Sequence, residues 1–78
     1  MVVNLYLLTR DREKIDWDQF DAFVIAASVP QAAREIAKEN AGGYHKSYWY
    51  DRDVTCKLIG VAKDGVEAGV VLGSFNAG

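Results

Sequence analysis

Two segments of this chain are apolar at both alternating sets of positions, while only one other segment carries the period of a helix. In Val2 to Leu8, Val3, Leu5 and Leu7 alternate with Val2, Tyr6 and Leu8. In Phe20 to Ala27, Phe20, Ala22, Val24 and Ala26 alternate with Phe23, Ile25 and Ala27. Strands of this kind want cover on both faces. The connection between them, Arg10 to Asp18, is dense in charge and predicts an exposed loop. Its length predicts an antiparallel pair.

The helix signal follows directly. Ser28 and Gln31 have capping-box spacing, and Pro30 falls in the first turn, where a missing N–H costs nothing. Ala32, Ala33, Ile36 and Ala37 make a stripe of small apolar residues suited to close packing on a sheet. Arg34, Glu35, Lys38 and Glu39 are expected to face water. Asn40, Ala41, Gly42 and Gly43 supply the stop after about three turns. Val54 to Val61 reads as a third strand, Lys63-Asp64-Gly65 as a turn, and Gly69 to Phe75 as a fourth strand.

The expected fold is therefore α+β, a single domain over residues 1–78. It is a four-stranded, mainly antiparallel sheet with one helix on one face, in the order β-β-α-β-β. One helix covers one face only. The other face needs a partner, and a second copy of the chain is the simplest one.

Composition narrows the function classes. The chain has 78 residues, half of them hydrophobic, which argues against disorder. Domains this short bury only about 60 % of their unfolded surface, so extra support is common. The lone Cys56 excludes an internal disulfide, and no Cys/His cluster can build a zinc site. Net charge is −2. A duplex nucleic-acid binder making about 6–10 phosphate contacts needs a strong basic excess, so that class is not expected. No apolar run reaches the roughly 18 residues of a membrane span, and the first residues lack a basic leader, so a cytoplasmic protein is expected.

Reaction chemistry is poorly supplied, and neither catalysis nor a cofactor or metal is expected. His45 is the single histidine, and with Cys56 it could form a thiol pair. Cys56 is in phase with Val54 and Leu58, however, and reads as a small buried hydrophobe. Asp16, Asp18 and Asp21 lack the glycine and distal glutamate of a calcium loop. Neighbouring Arg10, Arg12 and Lys14 dilute any mimicry of a phosphate backbone. No glycine belongs to a phosphate-binding loop.

Binding chemistry is better represented. Tyr48, Trp49 and Tyr50, flanked by Lys46 and Arg52, interleave aromatic planes with cations, which suits stacking on a base while cations meet phosphate. Alternatively, Trp49 and one tyrosine plug the sheet or an interface between copies. Ser74, Phe75 and Asn76 offer a hydroxyl, a ring and an amide near Gly73 and Gly78, either for a ligand or as a tucked strand end. Arg10 joins Lys46 and Arg52 as a candidate partner for phosphate.

Several of these segments carry a resemblance. Asn4-Leu5-Tyr6-Leu7, Trp17-Asp18-Gln19-Phe20-Asp21 leading into Val24-Ile25-Ala26-Ala27, and Ala33-Arg34 resemble a family of small tailed-phage proteins. So do Ile59-Gly60-Val61-Ala62 and the closing Gly69-Val70-Val71-Leu72-Gly73-Ser74-Phe75-Asn76-Ala77-Gly78. The segment Tyr44 to Asp53 departs most from that pattern. Small phage proteins of this layout are in turn similar to anti-defence sponges, oligomers that sequester the cyclic nucleotide signals of bacterial immunity. The resemblance implies a homo-oligomer in the host-cell cytoplasm that binds a cyclic di- or oligonucleotide without catalysis. A protein-binding inhibitor that occludes a host defence protein, or a phage accessory protein of structural role, uses the same residues differently.

Overall fold

A computed structural model of the chain describes residues 2–10, 19–41, 49 and 54–76. Lys46, Tyr48, Tyr50 and Arg52, with His45, Gly42, Gly43 and residues 11–18, for which the sequence predicts a loop, lie outside the described residues. The elements run β1 (Asn4–Arg10), β2 (Gln19–Ala27), α1 (Pro30–Ala41), β3 (Val54–Val61) and β4 (Gly69–Asn76). They form one four-stranded antiparallel sheet in the order β3-β1-β2-β4. The α+β layout expected from the apolar pattern is the one observed.

The first two strands pair as expected, with Asn4 opposite Ala27 and Thr9 opposite Ala22. The last two do not meet each other. The turn is present, with Val66 N donating to Lys63 O at 3.1 Å and Gly65 supplying a φ of 94°. It serves a crossing from one edge of the sheet to the other, so β3 and β4 are opposite edges.

One face is closed by α1, which lies chiefly over β2. Its Ala33 and Ala37 are fully buried against Tyr6, Leu8, Phe23, Ile25, Ala27, Trp49 and Val54. Alanine at these two positions lets the helix backbone approach the sheet. Leu8, Phe23 and Ile25 then fill the space, each contributing about 1.5–3 kcal/mol by burial.

Three details differ from the pattern read along the chain. Val29, not Ser28, is the N-cap: its carbonyl accepts the first helical N–H, from Ala33, at 3.2 Å. Pro30 then occupies the first helical position, where its fixed φ is favoured, and Ser28 falls one residue outside. Arg10 belongs to the end of β1 and not to the loop. Arg34 is not a solvent-facing residue but reaches over the sheet to the segment before β3.

Three β-bulges shape the sheet. Ile59 on β3, Asp21 on β2 and Val71 on β4 are each an extra residue between paired neighbours. The bulge at Asp21 resets the alternation, so Phe20 shares a face with Phe23 instead of with Ala22.

Candidate functional site

At one end of the sheet β1 and β4 stop while β2 and β3 begin. The aromatic residues gather there because of two local features. The Asp21 bulge turns Phe20 toward the helix face. Gly73, the direct partner of Phe23, leaves room for the rings: a Cβ there would lie 2.9 Å from Phe20 Cε1 and 3.1 Å from Phe23 Cε1.

The rings form a continuous run. Phe75 meets Phe20 edge-on at 5.1 Å, and Phe20 stacks on Phe23 at 4.7 Å with planes 24° apart. Phe23 meets Trp49 edge-on at 4.9 Å. Each contact adds about 0.5–1.5 kcal/mol beyond burial. The outer ring, Phe75, is 50 % exposed, whereas Trp49 is 2 % exposed. A ligand can stack on the first and has no access to the second.

Two arginines are built into this end. Arg10 Nη1 donates to Phe20 O at 3.2 Å, and its guanidinium carbon lies 6.0 Å from the centre of the Trp49 ring. That is the outer limit of a cation–π contact. Arg34 donates from Nη1 to Trp49 O at 2.9 Å and from Nη2 to Val54 O at 2.8 Å. The planar guanidinium fork thereby ties the backbone at 49 and at 54 to α1. Sequence reasoning missed this role. The available signal was the position of Arg34 beside the buried stripe, from which a long side chain can reach across apolar surface.

Two acidic or nucleophilic groups stand near the core. Asp21, the bulge residue, has a buried Oδ1 without a hydrogen-bond partner, an acceptor near the start of β2. Cys56 packs against the core opposite Leu8, and burial pushes its thiol above the usual range while the Arg34 charge works the other way. A thiol held protonated is a poor nucleophile. Among the described residues, no three of His, Cys, Asp and Glu come together as a metal cage.

The structure thus brings together some of the residues singled out in the sequence. Arg10, Trp49 and Phe75 share one end and one face, with Trp49 in the role of plug rather than platform. Ser74 is paired with Ala22 and therefore points to the other face. Asn76 closes the ladder opposite Gln19. A hollow of about 270 Å³ lies at the far end of the sheet, lined by Val2, Val3, Val61 and the turn after β3. Among the described residues that line it, none is aromatic, and Lys63 and Asp64 are the charged ones.

No protein-family model, curated protein or solved structure matches the chain. No helix among the described residues is long and apolar enough to cross a membrane.

Proposed function

We propose that this chain is a phage anti-defence protein that binds and sequesters a cyclic nucleotide immune signal without catalysis, working as a homo-oligomer in the host cytoplasm. The observation that carries the reading is the aromatic end of the sheet, where the half-exposed Phe75 ring stands on Phe20, to which Arg10 is bonded. A base stacks on Phe75, and the positive potential of Arg10 favours the phosphates. A cyclic dinucleotide carries two phosphates, so one or two cations for each site suffice and a net charge of −2 is no obstacle.

Mass spectrometry of small molecules released from the denatured, purified protein tests this first. A recovered cyclic nucleotide supports the reading. Calorimetry with cyclic di-AMP and cyclic di-GMP then locates the site: Phe75→Ala should weaken binding roughly ten- to hundredfold, the loss of one stacking surface. Undiminished affinity in that variant removes the aromatic end from the site.

A second reading, a protein-binding inhibitor of a host defence protein, draws on a different observation. Both sheet edges expose large apolar side chains, Leu58, Ile59 and Val61 on β3 and Val70, Val71 and Leu72 on β4. An empty protein that retains one host polypeptide through these edges would favour it.

A further inference from the structure

The two edges of the sheet are not equivalent. β3 carries Lys57 and is anchored at Val54, which is buried and whose carbonyl accepts from Arg34. β4 has no charged residue and no proline, and every residue from Val70 to Phe75 is exposed. An edge strand turns alternate N–H and C=O groups outward, and lysine or proline is a common guard against pairing there. Among the described residues, no strand pairs with the outer side of β4. The bulge at Val71 interrupts β4 near its start and leaves Leu72–Asn76 as its straight stretch.

The helix turns an apolar flank toward this edge. Ala33 and Ala37 face the sheet, and Arg34 reaches the backbone of Val54 on the β3 side. With about 3.6 residues per turn, Ala32 and Ile36 then fall on the opposite flank, the β4 side, where both are partly buried. Below them β4 presents Val70, Gly73 and Phe75 to the helix face, as the partners of Ile25, Phe23 and Phe20. Gly73 places no side chain between the exposed Val70 and Phe75, and the Phe20 and Phe23 rings lie behind it. The edge therefore has a notch with apolar walls.

We propose that the β4 edge takes up an extended segment of another protein as a fifth strand, with a large apolar side chain of that segment beside Gly73. This rests on the protein-binding reading and narrows it to one edge and one kind of ligand. The main chain of the segment pairs with the outward N–H and C=O groups of Leu72–Asn76. Strand side chains alternate, so every second one faces the α1 flank. A large side chain opposite an edge glycine lies across it and covers the bare backbone. Val70, Phe75 and Ile36 then surround that side chain. Ala32, Ile36 and β4 offer no charge, so the helix-facing positions of the segment are apolar. A charged group there would lose water and gain no partner. One short strand is a contact at the low end of interface sizes, and binding is expected to be weak and reversible.

A yeast-displayed library of random decapeptides, screened against the whole chain, tests it. Enriched peptides should alternate apolar residues, with a large one at a fixed position. The best of them, synthesised and added in excess, should slow amide hydrogen exchange in Leu72–Asn76 and leave β3 unchanged. Val70→Lys should weaken its binding at least tenfold, whereas Val61→Lys, on the helix face of the β3 edge, should not. The exchange measurement uses the unaltered chain, so it decides even where Val70→Lys disturbs the fold. Peptides that slow exchange in β3 instead overturn the inference and leave the protein-binding reading standing. A library without enriched sequences overturns it too, and the broader reading then depends on retention of a folded host polypeptide. Exchange in Leu72–Asn76 that slows with protein concentration alone assigns the edge to a second copy and likewise overturns it.

Discussion

The two faces of the sheet are built from the same apolar residue types, yet they are finished differently. On the helix face, Leu8, Ile25 and Phe23 are almost wholly buried, and the bulge at Asp21, the glycine at 73 and the guanidinium of Arg34 all serve to seal it. On the other face Leu5, Leu7 and Val24 are half-buried and Leu72 is 66 % exposed, although Ala26 beside them is buried. Hydrophobicity alone does not separate a core from a contact surface. The difference lies in whether the chain itself supplies the cover.

Loss of the innermost plug should separate the two faces most strongly. Trp49→Ala takes a 2 % exposed ring from Phe23 and should cost about 3–5 kcal/mol, read as a denaturant midpoint. Leu72→Ala on the open face, measured at concentrations below association, should stay within about 0.5 kcal/mol. Similar losses at the two positions would erase the distinction.

Arg34→Met comes next. It removes two charge-assisted donors from the carbonyls of Trp49 and Val54 and should cost about 1.5–3 kcal/mol. Arg34→Lys should recover only part of that, since an ammonium cannot hold two carbonyls in one plane. Full recovery by lysine would make the interaction one of charge alone.

Gly73→Ala should cost about 1–3 kcal/mol, because its methyl group lands on the Phe20 and Phe23 rings and forces them aside. A neutral outcome would mean that the rings yield freely and that the aromatic run is not fixed by β4.

The smallest effect concerns pH. Burial raises the Cys56 thiol above its ordinary value of 9.0, so the folded state holds that proton more tightly than the unfolded chain. The resulting stability is fully present below that ordinary value and is lost as pH rises through the folded one. Stability should therefore fall on the alkaline side in a way that Cys56→Ala abolishes. A slope that persists in the variant assigns the loss to other groups.

Much of this architecture was legible in the residues. The strand at Val54–Val61 and the alanine stripe of α1 follow from local periodicity, and the antiparallel pairing of β1 with β2 from the length of the connection between them. What periodicity could not carry was any property set by a partner distant in sequence. The Asp21 bulge depends on how β2 meets β4, and it alone decides that Phe20 joins Phe23. The placement of β3 and β4 at opposite edges is a global choice that the Lys63–Gly65 turn does not encode. Ser28 had the side chain of a cap, but Pro30 fixes the helix start one residue later. Trp49 read as either a stacking platform or a plug and Arg34 as facing water; Trp49 is 2 % exposed and Arg34 donates to the carbonyls of Trp49 and Val54, contacts between segments distant in sequence.

If copies of the chain associate through the half-buried face, as the proposed homo-oligomer requires, methyl-resolved NMR across a concentration series reads the contact residue by residue. The methyl signals of Leu7, Val24 and Leu72 should move together as concentration rises, while those of Leu8 and Ile25 stay fixed. Movement of Leu8 and Ile25, or no movement of the three open-face residues over a range in which the mass doubles, would contradict the account.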